Sequence, residues 1–188
     1  MFLCTVVLIA LLVALARGGK WVNLTGHRFK KSWLIISAIM IQVLIFNPVW
    51  DRYVHWAAAT NLLYVFSILL LLAFVAANVK ISGLKILGLG VLSNALAIVA
   101  NGGNMPSSLE GLKSILSPEA LSRLQSGAAN YNIELIGDQT RLKYLCDIFY
   151  LPHVNVYSIG DILIALGAFM TIQYILLGRE FNKSRLIW

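Results

Sequence analysis

Charged residues divide this chain into long apolar runs. Residues 1–16, 32–50, 53–79 and 86–109 contain no Asp, Glu, Lys or Arg, and a fifth run, 162–178, begins directly after Asp161. A helix needs roughly 17 to 25 apolar residues to cross a hydrocarbon core of about 30 Å, so the middle three runs are ample and the outer two are short. The pattern predicts five spanning helices at about 2–16, 32–50, 57–77, 83–100 and 159–177, in one membrane domain over residues 1–188. Asn47-Pro48 should break the last turn of the second helix, because a residue before proline is pushed out of the helical region. Trp50, Tyr53 and Trp56 then form an aromatic cluster at a membrane boundary. Ser82, Gly83, Gly88 and Gly90 keep one end of the fourth helix slender enough for another backbone to approach.

Between the fourth and fifth helices lie residues 101–157, too long for an idle connection and too apolar for disorder. Three helix starts are predicted there. Ser107 and Glu110 have the spacing of a capping box; Ser117 precedes Pro118, with Gly127 as the stop; and Asp138 can cap a helix over "GDQTRLKYLCDIF". The expected architecture is therefore all-α: five transmembrane helices under an extracytoplasmic cap of short amphipathic helices.

Composition agrees, with 59% hydrophobic and only 12% charged residues. The basic residues supply an orientation. With the first helix retained and its N-terminus outside, ten of the fifteen Lys and Arg fall on the cytoplasmic side, as the positive-inside rule requires. Of the acidic residues, Glu180 alone falls inside. The basic pI of 9.6 is then a topology signal, and nucleic acid is not an expected partner, since the cations sit between apolar spans instead of on a docking face. Cys4 and Cys146 both fall toward the external side, where a disulfide is chemically permitted and buried free thiols are the usual alternative.

Candidate chemistry gathers at the external mouth. Asp161 touches the edge of a span, and an ionisable residue there suggests function; Ser158 and Asp161 also have capping-box spacing. In "NGGNMP", Gly102, Gly103 and Pro106 are explained by a turn and a following helix start, while Asn101 and Asn104 are explained less well. Asn94, two turns before Asn101, is expected inside the bilayer with partners among Gln42, Asn61, Tyr64, Ser67, Thr171 and Gln173. Asp51, His55, Asp147 and His153 complete the mouth, without the spacing of a metal site. The candidate ligand-binding residues are thus Asn94, Asn101, Asn104, Asp147, His153 and Asp161. No cofactor, metal or catalytic motif is indicated.

"NGGNMP" after a membrane helix, "TRLKYLCDIFYLP" later in the loop and "YSIGDILIALG" opening the last helix together resemble an uncharacterised family of small bacterial integral membrane proteins, a domain of unknown function. The basic "RGGK" after the first helix fits the same pattern, so that the resemblance extends over nearly the whole chain. It implies a multi-pass location in the bacterial cytoplasmic membrane and supplies no activity. Three classes of function compete on the residues. The first is a binding or accessory protein that holds a lipid headgroup, a small polar ligand, a membrane-protein partner or a second copy at the mouth. The others are a small transporter or channel subunit, and an enzyme acting on a lipid-linked or extracytoplasmic substrate through Asp147 or Asp161.

Overall fold

A computed structural model describes residues 2–47, 50, 57–126 and 133–178. Five longer helices dominate: α1 (Phe2–Ala16), α3 (Ser32–Ile45), α4 (Ala57–Ala77), α5 (Leu84–Ala100) and α8 (Ile159–Leu176). A short α2 (Trp21–Gly26) follows α1, while α6 (Leu109–Ile115) and α7 (Pro118–Gln125) lie between α5 and α8. Among the described residues the five longer helices make their main contacts in the order α3–α4–α5–α8–α1, as a row. Successive members of the chain α3, α4, α5 and α8 run in alternating directions. The ring of Phe2 stacks on Tyr157 at one end, and Lys20 N–H donates to the Leu176 carbonyl at the other, so α1 runs parallel to α8.

Length limits the number of spans that the helices themselves support. Residues Ala58–Ala77 of α4 and the whole of α8 are long and apolar enough to cross a membrane, whereas α1, α3 and α5 are shorter apolar helices of 15, 14 and 17 residues. Two candidate spans therefore replace the five expected. The second helix shows why: it ends at Ile45, and the Phe46 and Asn47 N–H groups turn back to Gln42 and Leu44. Trp50 donates its indole N–H to Thr60 Oγ1 at 3.0 Å, which ties the connection to α4. Asp51, Tyr53, His55 and Trp56, expected at the mouth, lie outside the described residues, as does Gly127.

Close packing is concentrated where side chains are smallest. Between α5 and α8, a Cβ on Gly90 would meet the Gly160 carbonyl, and one on Gly167 would meet the backbone of Leu87 and Gly83. Ala10, Ala14, Ala38, Ala97 and Ala165 are buried, while Leu12, Met40, Leu62, Leu89 and Leu166 are exposed. Large apolar side chains point inward as well, as Ile45, Ile98 and Leu176 do, so it is the extent of exposed apolar surface that departs from the soluble pattern.

The segment beyond α5 is not all-helical. Two small sheets are present: β1 (Met105–Ser107) pairs in parallel with β2 (Ile133–Leu135), and β3 (Phe149–Leu151) pairs antiparallel with β4 (Asn155–Tyr157). Pro106 forces Met105 to be extended and therefore sits in a strand, not at the start of a helix. Its carbonyl accepts the Asp147 N–H at 3.0 Å on the side of β1 away from β2. Ser107 belongs to that strand, so Ser108 caps α6, accepting the Gly111 N–H at 3.2 Å. Ser117 and Pro118 start α7 as expected. The helix predicted from Asp138 does not form; only a 3₁₀ turn, Lys143–Leu145, appears. That segment runs through turns and bends and is tethered at Arg141 to Asn101 and at Asp147 to β1, and these tertiary contacts outweigh a local capping preference.

Candidate functional site

The first turn of α8 is built by its own sequence. Ser158 Oγ accepts the Asp161 N–H, and Asp161 Oδ2 accepts the Ser158 N–H, each at 3.0 Å: a complete capping box. Asn94 on α5 joins it from the side, donating through Nδ2 to Asp161 Oδ1 at 2.9 Å and accepting from Ser158 Oγ at 2.8 Å. Asn94, Ser158 and Asp161 thus form a closed polar ring between two helices. Gly160 makes this possible, because a Cβ there would strike the Asn94 amide.

Asp147 approaches from the cap. Its Oδ2 accepts from Ser107 Oγ at 3.2 Å, and its backbone is fixed on both sides, by its N–H to Pro106 and by its carbonyl from Ser108 N–H at 3.0 Å. The other oxygen, Oδ1, is buried and has no hydrogen-bond partner among the described residues. Burial is the main reason that the Asp147 carboxyl is pushed up to about 7; repulsion from Asp161 adds to it and the Ser107 hydroxyl opposes it. Cys146 next to it is also raised, to about 11, by burial first and by Asp147 second. At neutral pH it is a thiol, with its Sγ directed to the carbonyls of Arg141 and Leu142. Cys4 is exposed on α1 and is free, as is Cys146.

Other candidates have different placements. Asn101 donates to the carbonyls of Ala97 at 2.7 Å and Arg141 at 3.0 Å, and its Oδ1 accepts the Arg141 N–H at 2.9 Å. It is a clamp that fastens the cap to the end of α5. Gly102 and Gly103 adopt φ of 70° and 96°, as the turn reading of "NGGNMP" requires, and the Gly102 carbonyl accepts from Asn61 Nδ2 at 2.8 Å. Asn104 is half-buried in the same turn, with its N–H on the Asn101 carbonyl. His153 is exposed at the tip of the β3–β4 hairpin with φ of 60°. Of the six, then, Asn94 and Asp161 are bonded to each other, Asp147 is near enough to feel Asp161, and Asn101, Asn104 and His153 take part in turns and anchors.

Partners expected for Asn94 deeper in the helices are used elsewhere. Gln42 donates to Ser67 Oγ at 3.0 Å, joining α3 to α4, and Gln173 donates to the Ala10 carbonyl at 2.7 Å, joining α8 to α1. Sequence reasoning missed Ser107 as a site residue because its capping-box spacing with Glu110 suggested a helix start. It singled out Ser158 only as a cap.

Asn101→Ala should detach the cap locally. Loss of the exchange with Arg141 is worth about 2 kcal/mol for two such bonds. Limited proteolysis is expected to cut first within residues 133–148, with the helices intact; an unchanged digestion pattern would show that Asn101 does not anchor this segment.

Fold and site together define a mostly helical protein with two candidate membrane spans and a polar cluster under a mixed helix-and-strand cap. The chain belongs to DUF5317, a family of unknown function, whose model matches residues 26–173. The match includes all three segments on which the family resemblance rests, and stops short of α1 and the "RGGK" that follows it. No curated protein and no solved structure matches the chain.

Proposed function

We propose that this is a multi-pass protein of the bacterial cytoplasmic membrane, forming one membrane domain with its N-terminus outside, and that it binds a small polar ligand or lipid headgroup at the capped end. Exposed large apolar side chains on all five longer helices support placing the whole row in lipid, with α1, α3 and α5 as short members. The charges support the orientation. At the end opposite the cap, the described residues include Arg17, Lys20, Arg28, Lys30, Lys31, Lys80 and Lys85, with no Asp or Glu among them.

The observation that carries the binding reading is the buried, unpartnered Oδ1 of Asp147 near the Asn94–Ser158–Asp161 ring. Buried polar atoms are nearly always paired, so an orphaned carboxylate oxygen calls for a hydrogen-bond donor. The ligand class that fits is one bearing an amine or hydroxyl. Asp161 has both oxygens engaged and serves to hold the opposing surface. Transport is less well supported, because the deeper amides of Gln42 and Gln173 join neighbouring helices and do not extend the polar ring into a path.

Native mass spectrometry of protein extracted gently from its own membrane tests this, beside Asp147→Asn and Asp161→Asn. The expected result is a stoichiometric small molecule or lipid on the wild type that is lost from the Asp147 variant. A bare protein in every sample, or a complex with another protein and no ligand, would reject the ligand site and favour an accessory role.

A further inference from the structure

A second polar feature lies at the opposite end of the helix row. A cavity of about 390 Å³ opens between the α2–α3 connection and the turn linking α4 to α5, lined by Gly26, His27, Arg28 and Lys30 on one wall and by residues 76–81 on the other. Its volume is within the usual range for small-molecule sites. Arg28, Lys30 and Lys80 supply three cations, and no Asp or Glu is in the lining. In the sequence, the single acidic residue before Glu110 is Asp51.

The two walls are locked to each other. Asn78, 4% exposed, accepts the Lys30 N–H at 2.7 Å and donates to the Lys30 carbonyl at 2.8 Å. A second Asn78 donation reaches the Phe74 carbonyl at 2.9 Å, so the amide is fully committed to structure. On the loop side, His27 packs edge-on against Phe29 with ring centroids 4.5 Å apart, and Phe29 packs on Phe74 at 5.6 Å. The cavity is therefore preformed and does not depend on a ligand to order it. Part of the lining is apolar: Ala76, Ala77, Val79 and Ile81 contribute to it, and Val79 is exposed.

We propose that this cavity binds a phosphate-bearing anionic group, the headgroup of an acidic phospholipid or a free phosphate ester, with Arg28, Lys30 and Lys80 as its cationic contacts. Three cations lining one recess, with no acidic residue beside them, raise the positive potential there, and a phosphate offers several acceptor oxygens to satisfy them. Basic pockets at the cytoplasmic ends of membrane helices suit such headgroups, and each Lys or Arg near an anionic surface contributes measurably to attraction. This site is independent of the one at the capped end.

The test uses the full chain in a neutral detergent, titrated with phosphatidylglycerol, with phosphatidylcholine as reference, and read by native mass spectrometry. Two double variants of equal charge change are compared: Arg28→Gln with Lys80→Gln in the lining, and Lys31→Gln with Lys85→Gln outside it. All four side chains are exposed, so folding should survive, and a thermal melt checks that it does. One phosphatidylglycerol is expected on the wild type and on the outside variant, and the lining variant should bind it about tenfold or more weakly. Competition by inorganic phosphate or glycerol phosphate would support the proposal and identify a soluble ester as the ligand source; phosphatidylglycerol binding that resists both would support it and identify the lipid. Equal weakening in both variants would overturn it, showing bulk charge alone, as would wild-type binding no tighter than that of phosphatidylcholine.

Discussion

Gly167→Ala is expected to destabilise the protein by about 2 kcal/mol, and Gly167→Leu to prevent recovery of folded material. Alanine is the better helix former by about 1 kcal/mol, so local propensity alone predicts a gain. Packing decides the sign. A Cβ at this position of α8 would sit against the Leu87 nitrogen and the Gly83 carbonyl, which are backbone atoms and cannot rotate away. Overpacking of this kind costs about 1 to 3 kcal/mol, and the upper end applies when the obstacle is another helix's main chain. The net loss should lower the melting temperature by about 4 to 8 °C, measured as loss of the monodisperse size-exclusion peak after heating. Gly137→Ala is the reference: a Cβ there meets nothing within 4 Å, and the change should stay within about 0.5 kcal/mol of neutral. Gly167→Ala as stable as wild type would mean that α5 and α8 do not touch at this point.

Such a close contact was partly legible in the sequence. Ser82, Gly83, Gly88 and Gly90 marked α5 as slender, but nothing nearby indicated that the partner was α8, whose Gly160 and Gly167 face it 70 and more residues along the chain. The apolar runs located all five longer helices, because hydrophobic content is a local property. Their ends were less legible: the second run continues to Trp50, while its helix stops at Ile45 ahead of Asn47-Pro48.

The cap shows the opposite limit. Ser117-Pro118 and Ser158-x-x-Asp161 became helix starts because each cap needs partners only three or fewer residues away. Residues 138–149 carried a similar local signal and took another path, since Asn101, 40 positions earlier, captures the Arg141 N–H, and β1 captures Asp147. The same distance hid the role of Ser107. Its hydroxyl reaches Asp147 because β1 lies beside a residue 40 positions further on, and no spacing within "SSLEGLKSIL" encodes that. Asn94 and Asp161 were both recognisable as exceptional polar residues, each in an apolar context; their bond to each other required the helix packing.

Asp147 gives the second large effect, a stability that falls as pH rises. Its folded value of about 7 lies above the ordinary 3.8, so folding favours the neutral acid. The associated stability is complete below the unfolded value and is lost as pH rises from there through about 7. Full conversion of that displacement sets a ceiling of about 4 kcal/mol, and partial solvent screening of the half-buried residue reduces the expected loss to about 2 kcal/mol. Asp147→Asn keeps an oxygen to accept from Ser107 and never ionises at this position. Its melting temperature should therefore stay nearly level between about pH 5 and pH 8, while that of the wild type, which has already lost part of this stability by pH 5, declines by about 2 to 5 °C relative to it. Asp161→Asn supplies the internal check. Removing the second carboxylate removes its repulsion, so the wild-type decline should move to lower pH in that variant, with burial still holding it above the ordinary range. Parallel pH profiles for wild type and Asp147→Asn would mean that the Asp147 carboxylate is solvated in the folded protein, and would remove the orphaned oxygen on which the ligand site depends.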